Sequence, residues 1–345
     1  MKCNRYALDE LATIKYGKNQ KKVLSENGNI PIYGTGGLMG YATTALYDKP
    51  SVLIGRKGTI GKVKYVEQPF WTVDTLFYTI VNTHIVLPKY LYYVMSLVDL
   101  NIYNEGTTIP SLRTETLNRL EFDIPSLREQ EMILSCLNPI DEKIELNNAI
   151  NNNLADQAQA IYQQYFVAEA NPDWPLGHLS DLIDIKYGKD HKKLADGTYP
   201  VYGSGGIMRY VERPLYEKES VLIPRKGTLN NVIYVNQPFW SVDTMFYTEM
   251  KQDNVAKFVY HYVKSKDLAS MNAGSAVPSM TTAILNALEL PLPSIEALKH
   301  FEVSVAPMYE MMQKNEEESH KLAKLRDALL PKLMSGEIDV SDLDL

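Results

Sequence analysis

Two stretches of the chain decide its architecture: RKGTIGKVKYVEQPFWTVDTLFYT, residues 56–79, and RKGTLNNVIYVNQPFWSVDTMFYT, residues 225–248. They have the same length and lie 169 positions apart. Outward from them, YGTGGLMGY at Tyr33 recurs as YGSGGIMRY at Tyr202, and PSVLIGRKGT recurs as ESVLIPRKGT, at the same offset. GTTIPSL at Gly106 then recurs as GSAVPSM at Gly274, and LEFDIPS at Leu120 as LELPLPS at Leu288, now 168 positions apart. The chain is a tandem duplication with two diverged halves, and a repeat of this kind governs how every other motif is read.

Each half opens with short runs of Val, Ile, Tyr and Thr broken by Gly and Pro, the pattern of strands and turns. SVLIGRKGT reads as a buried strand entering a glycine turn, KVKYV as a partly exposed strand, and KYLYYVMSLVDL and KFVYHYVKSKDL as helices. Each half then changes period. Ile133, Leu137, Ile140, Ile144, Asn147, Asn151, Leu154, Ala158, Ile161 and Tyr165 step by four and three, as coiled-coil core positions do. Phe301, Val305, Met308, Met312, Asn315, Ser319, Leu322, Arg326, Leu329 and Leu333 match them 168 positions later.

The expected fold class is α+β: two globular mixed α/β domains joined by two long antiparallel coiled-coil helices in a pseudo-twofold tandem repeat. The expected boundaries are 1–125 for the first domain, 126–170 for its helix, 171–293 for the second domain, 294–336 for the second helix and 337–345 for a tail. Pro139 and Pro307 sit at equivalent places, and proline suits a first turn better than an interior, so each long helix is predicted to restart there. In an antiparallel pair Asn147 would meet Ser319 and Asn151 would meet Asn315, polar layers of the kind that fix register. A helix from Pro139 to Ala168 would span ~45 Å.

Charge narrows the partner. The net charge is −7, but residues 1–125 carry 14 basic against 11 acidic side chains and residues 171–293 carry 13 of each, so the acidic excess lies in the helical segments. Basic clusters stand out locally: Lys18, Lys21 and Lys22 in KYGKNQKK, Lys189, Lys192 and Lys193 in KYGKDHKK, and Arg56, Lys57, Lys62 and Lys64 after the first buried strand, with Arg225 and Lys226 after the second. Local charge within a Debye length decides what a surface attracts. Positions that differ on matched loops are candidates for whatever the two halves recognise differently: Gly40 against Arg209, Gly61 against Asn230, Lys62 against Asn231, Lys64 against Ile233, Gln20 against His191 and Thr35 against Ser204.

Catalytic and cofactor readings find little support. NPDW at Asn171 carries Asp173 where an amino-methyltransferase signature has proline, and a nuclease-like spacing of Pro172, Asp173, Asp184 and Lys186 loses its metal ligand in the first half, where Thr13 stands in place of Asp184. YGTGGLMGY has Met39 where a dinucleotide loop needs glycine, and six histidines show no metal-like spacing and read mostly as surface residues. Trp71 and Trp240 read as core anchors, and the RKGT turns equally as tight connections or as phosphate contacts. No cofactor and no metal are expected. Two cysteines, Cys3 and Cys136, and an N-terminal sequence without an apolar core point to a cytoplasmic protein.

The repeated Y-G-[TS]-G-G and R-K-G-T motifs, the Q-P-F-W-[TS]-V-D-T-x-F-Y stretch, IPSLREQ and LRDALLPKLMSGEI together resemble the specificity subunit of a type I restriction-modification system. The resemblance covers essentially the whole chain. It implies two target recognition domains that each read one half of a split double-stranded DNA target in the major groove. It also implies a helical rod that docks methyltransferase subunits, two in number, with restriction and translocase subunits joining later, and no catalysis by the chain itself. Glu129 and Gln130 of the first half become Ala297 and Leu298 in the second. A recognition subunit of a type IIB-like enzyme is an alternative within the same class, and a coiled-coil adaptor that binds no DNA is an alternative outside it.

Overall fold

The computed structural model describes residues 2–272 and 278–340. The first four residues of the GSAVPSM repeat segment, and the tail from 341 on, lie outside them. The chain divides into two units, residues 1–147 with 317–345, and residues 148–316.

The elements of the first half are β1 (Asn4–Ala7), α1 (Leu8–Leu11), β2 (Ala12–Tyr16), β3 (Ile30–Gly34), β4 (Gly37–Ala42), β5 (Ser51–Gly55), β6 (Val63–Val66), β7 (Trp71–Thr72), β8 (Leu76–Val81), α2 (Pro88–Ser96), α3 (Thr114–Asn118), β9 (Glu121–Ile124) and the long α4 (Leu127–Gln163). The second half repeats the order as β10 (Leu176–His178), α5 (Leu179–Leu182), β11 (Ile183–Tyr187), β12 (Asp196–Gly203), β13 (Gly206–Val211), β14 (Ser220–Pro224), β15 (Ile233–Val235), β16 (Trp240–Ser241), β17 (Met245–Met250), α6 (Ala256–Lys264), α7 (Thr282–Asn286), β18 (Glu289–Pro291) and α8 (Ile295–Ser335).

In the first unit a four-stranded antiparallel sheet runs β2-β8-β5-β6, and a three-stranded sheet runs β4-β3-β7 with β3 and β7 parallel. The second unit repeats both, as β11-β17-β14-β15 and β13-β12-β16. β5 and β14 are buried along their whole length. The serine that opens each is the reason its neighbour keeps a threonine. Ser51 Oγ donates to the Thr79 carbonyl at 2.7 Å and Thr79 Oγ1 accepts from Val52 N at 2.9 Å, and Ser220 and Thr248 repeat the arrangement. Buried hydroxyls paired in this way avoid a desolvation cost of ~1–3 kcal/mol each.

α4 starts with a capping box, in which Ser126 N and Oγ both donate to Glu129 Oε2. Gln130 is fully buried and ties the helix to the loop before α2, accepting from Leu87 N at 2.8 Å and donating to the Ile85 and Pro125 carbonyls. Its counterpart Leu298 fills core volume instead. The two halves thus anchor the same helix by hydrogen bonds in one case and by apolar burial in the other.

The predicted restarts at Pro139 and Pro307 are not found: α4 and α8 each run through their proline without a break. Both prolines, and the residues four before them, Ser135 and Val303, lie on exposed faces. Water can therefore serve the carbonyl that loses its helical donor, while the buried side of each helix holds the turn in place. The seam positions of both helices are buried or half-buried throughout. At the end of α4 the most buried positions move one residue on, to Tyr162 and Phe166, where the helix widens into a π turn over Gln164–Ala168.

Within each unit the two long helices are antiparallel. In the first, Lys143 meets Glu318 and Asp141 meets Arg326; in the second, Asn151 meets Asn315 and Tyr162 meets Phe301. The first core runs from Leu8, Ile54, Phe77 and Tyr90 to Ile133, Leu137, Leu330 and Leu333, and the second from Leu179, Ile223, Phe246 and Phe258 to Ala158, Tyr162, Phe301 and Val305. Each globular half is therefore fused to its stretch of paired helix by one continuous apolar cluster, with each fully buried large side chain contributing about 1.5–3 kcal/mol. Among the described residues no helix is long and apolar enough to cross a membrane.

Candidate nucleic-acid interface

Three repeated loops converge on one surface of each unit. The first is the lysine loop after β2. Gly17 N donates to Leu76 O, Lys18 N to Thr72 O at 2.8 Å, and Trp71 Nε1 to Lys18 O at 2.8 Å. A Cβ at Gly17 would sit 2.0 Å from the Val73 carbonyl, so only glycine lets the chain pass. Asn19 then accepts from Lys21 N at 2.9 Å, a side-chain turn that leaves Lys18, Lys21 and Lys22 exposed. The second unit keeps every contact: Lys189 N to Ser241 O, Trp240 Nε1 to Lys189 O, and Asp190 accepting from Lys192 N, with Lys189, Lys192 and Lys193 exposed. That backbone donor holds the Asp190 carboxyl below its usual range. Each tryptophan is thus an anchor for a lysine loop.

The second loop is the RKGT turn. Lys57 pairs with Ser111, Gly58 N donates to Pro110 O, and Gly58 takes φ 84°, which requires glycine. Arg56 is committed inside it, Nη1 donating to the Asp74 carbonyl at 2.8 Å and the guanidinium standing 5.0 Å from the Tyr16 ring centre. Arg225 repeats both contacts, with Asp243 and Tyr187. Each arginine therefore clamps its turn, and Lys57 and Lys226 are the exposed cations of the pair.

The third loop is the glycine hairpin between β3 and β4, or β12 and β13. It joins the lysine loop at its root, because Tyr33 pairs with Thr72 across β3 and β7. It joins the RKGT turn at its tip, because a Cβ at Gly58 would lie 3.9 Å from Thr35 Oγ1, and one at Gly227 2.7 Å from Ser204 Oγ. Lys57, Thr35 and the Lys18–Lys22 loop are thereby brought to one surface, and Lys226, Ser204 and the Lys189–Lys193 loop to another.

Several side chains that differ between the halves have internal partners. Arg209 Nη2 donates to Leu194 O at 3.0 Å and Asp196 Oδ1 at 2.7 Å, closing the second lysine loop; at Gly40 the Cβ position is 3.0 Å from Leu24 Cδ1, which occupies the same region in the first. Asn230 donates to Asp267 Oδ1 and accepts from Ala269 N, and its hydrogen bond holds the Asp267 carboxyl below its usual range. In the first unit the same carboxylate, Asp99, is held by Asn101 Nδ2 at 2.9 Å, and Gly61 leaves room for it. The pairs Gly61/Asn101 and Asn230/Ala269 are alternative solutions to one packing problem. Asn231 donates to Ser204 O at 2.8 Å and stiffens its hairpin. Lys64 stands 4.1 Å from the Tyr33 ring centre in a cleft against α4, with its pKa lowered by desolvation. Gln20, His191, Thr35, Ser204 and Lys62 remain at the loop surface, the first four half-buried and Lys62 exposed.

Sequence reasoning missed three features. Leu38, Met39, Ile207 and Met208 are exposed apolar residues on the hairpins; two adjacent apolar residues straight after Gly-Gly in both halves carry that signal. His261, one of six histidines that read mostly as surface residues, is 1% exposed and joins both long helices, through Gln159 Oε1 at 2.8 Å and Tyr309 Oη at 2.9 Å. Lys257 is 4% exposed and bonded to Glu302 and Glu219. Nothing in the local sequence marks either residue as internal. No cluster of His, Cys, Asp and Glu suited to a metal ion occurs among the described residues.

The chain is similar to known proteins. The chain is 23% identical to the type I restriction enzyme MjaIX specificity subunit of Methanocaldococcus jannaschii, over 86% of this chain and 80% of that protein. It is 22% identical to the HindI specificity subunit of Haemophilus influenzae, over 78% and 81% respectively. The crystal structure of a type I restriction-modification S subunit from M. genitalium has the same fold, with a TM-score of 0.59, 20% identity and 96% of each chain covered. The family description "Type I restriction modification DNA specificity domain" matches twice, at residues 2–156 and 171–314, one match to each half of the duplication. With its fold, its repeated loops and both halves matched, the chain belongs to the type I restriction-modification specificity-subunit family, and carries that family's domain twice.

Proposed function

We propose that this chain is the DNA-reading subunit of a type I restriction-modification enzyme, that it binds a bipartite and asymmetric double-stranded target, and that the paired helices dock the methyltransferase and restriction subunits. The observation that carries the reading is the surface built twice: a lysine loop, a lysine turn and a glycine hairpin, held by the same backbone contacts in both units and differing at Gln20/His191 and Thr35/Ser204, and at Lys62, where Asn231 of the second unit braces its hairpin instead. The shared lysines supply sequence-blind phosphate contact, and the differing loop positions supply the two readings. The chain itself performs no chemistry in this account.

The test is to purify the chain with its methyltransferase partner and map the bases it modifies. A split target with two unlike parts is expected, together with no methyl transfer by the chain alone. A continuous target, or transfer without the partner, would refute the proposal.

A further inference from the structure

We propose that the apolar pair on each hairpin, Leu38 and Met39 in the first unit and Ile207 and Met208 in the second, is a base contact, made on thymine methyl groups in the major groove. This rests on the DNA reading above and names what that surface touches.

These four side chains are 53%, 55%, 49% and 60% exposed, large apolar groups held in water in both units at matched positions. The hairpin is built to hold them out. Gly37 and Gly206 take φ 113° and 110°, and a Cβ at Gly36, Gly37, Gly205 or Gly206 would meet no atom within 4 Å, so the tip projects into open space. Each methionine lies back across a glycine: a Cβ at Gly34 would be 2.4 Å from Met39 Sδ, and one at Gly203 2.5 Å from Met208 Sδ. The thioether therefore has a seat and presents one flank, which keeps the apolar pair ordered before any partner arrives. Asn231 adds a brace to the second hairpin through the Ser204 carbonyl.

The surroundings select the partner. The hairpin root shares β7, or β16, with the lysine loop, and its tip borders the RKGT turn, so a loop carrying exposed lysines lies at each end of the hairpin. Cations on phosphate would bring the hairpin to a groove, and a two-stranded ribbon has the width the major groove admits. An apolar side chain gains nothing from phosphate or from polar base edges. The thymine methyl is the apolar group exposed on the major-groove floor. Leucine in one hairpin and β-branched isoleucine in the other give the two contacts different shapes, in keeping with unlike half-sites.

The experiment uses the complex with the methyltransferase subunit and its mapped target, each thymine replaced in turn by uracil, which removes only the methyl group. Wild-type affinity is expected to fall about fourfold at one or more thymines in each part of the target, the worth of one buried methyl. Leu38→Ala with Met39→Ala should abolish that sensitivity in one part alone and leave both the salt dependence and the melting temperature unchanged. Uracil sensitivity that is absent everywhere, or that survives in the variant, would overturn the proposal. Loss of methyltransferase co-purification with DNA preference intact would make the hairpin a protein contact and overturn it too. A wild-type complex that binds with no sequence preference would instead refute the DNA reading itself, and this contact with it.

Discussion

Asn315 Nδ2 donates to Asn151 Oδ1 at 2.8 Å between α4 and α8, and Asn151 passes its own amide hydrogen to the Met312 carbonyl at 3.0 Å. In the first unit, Asn147 Nδ2 donates to Ser319 Oγ at 3.2 Å and Glu318 Oε2 at 2.9 Å. A slip of one seam position in either helix would set one of these amides against an apolar side chain, so polar pairs in the seam select one alignment at some cost in stability. Asn151→Leu, which removes the acceptor that Asn315 uses, is expected to cost ~1–3 kcal/mol in urea unfolding. Asn151→Leu with Asn315→Leu should recover most of that loss, since an apolar pair of similar size avoids the buried amide.

A second pair of contacts fastens the first unit to its helices. Arg326 Nη1 donates to Asp141 Oδ1 at 2.9 Å, and the Tyr93 hydroxyl donates to Asp141 Oδ2. Desolvation, then the bond to Asp141, keeps the Tyr93 phenol protonated far above its usual pKa. Arg326→Met should leave Asp141, 14% exposed on its side chain, without its cation and cost roughly 2 kcal/mol, less than a fully buried pair because a quarter of the Arg326 side chain is exposed. Chemical denaturation of wild type and variant measures this.

The counterpart in the second unit titrates. Gln159 Oε1 can only accept, so the His261 imidazole carries its hydrogen on Nδ1 and accepts a hydrogen bond from the Tyr309 hydroxyl at Nε2. Burial, with a smaller contribution from Lys264, lowers its pKa to about 3. The folded state thus refuses a proton that the unfolded state accepts below its ordinary pKa near 6.5. Stability is full above that pH and should fall as pH drops toward 3, by roughly 1.4 kcal/mol per unit from this residue. His261→Gln should flatten that part of the pH profile, although the variant starts from a lower stability at pH 7.

The swap at Asp99 and Asp267 gives a test of which differences carry specificity. Gly61→Asn alone should destabilise by ~1–3 kcal/mol, because its Cβ would lie 2.4 Å from Asn101 Nδ2. Combined with Asn101→Ala it should return to within about 0.5 kcal/mol of wild type, reproducing the second unit's arrangement. The selected DNA sequence should not change in the double variant. A changed half-site would show that Asn101 or residue 61 touches bases.

The duplication and the helical seam were legible because each is arithmetic on the sequence: a fixed offset, and steps of four and three. The buried strands SVLIG and SVLIP, the α2 and α6 helices and the polar layers follow from the same counting. What counting could not reach were partners set by the fold. Arg209 differs from Gly40 on a matched loop, yet its guanidinium closes a loop through Asp196, 13 residues away. Asn230 looks like a base reader until Asp267, 37 residues on, is seen to hold it. Pro139 and Pro307 read as helix starts because local propensity ignores which face of a helix is wet. The hairpin methionines were passed over because an apolar residue in a strand is ordinarily taken for core.

The lysine loops are expected to act through counterion release. Lys18→Ala, Lys21→Ala and Lys22→Ala together should weaken binding to all DNA sequences and lower the slope of log K against log salt by up to about three. Titrations at several salt concentrations measure this, and an unchanged slope would remove the loop from the interface.

Each unit is expected to read its own part of the target. Gln20→His, Thr35→Ser and Lys62→Asn give the first unit three of the second unit's loop identities without touching the core. The decisive measurement is the set of DNA sequences selected by the methyltransferase complex of this triple variant, beside that of wild type. One part of a split target is expected to change, toward the sequence of the other part, while the other part and the spacing stay as they were. Equal change in both parts, or a single continuous target in either complex, would contradict it.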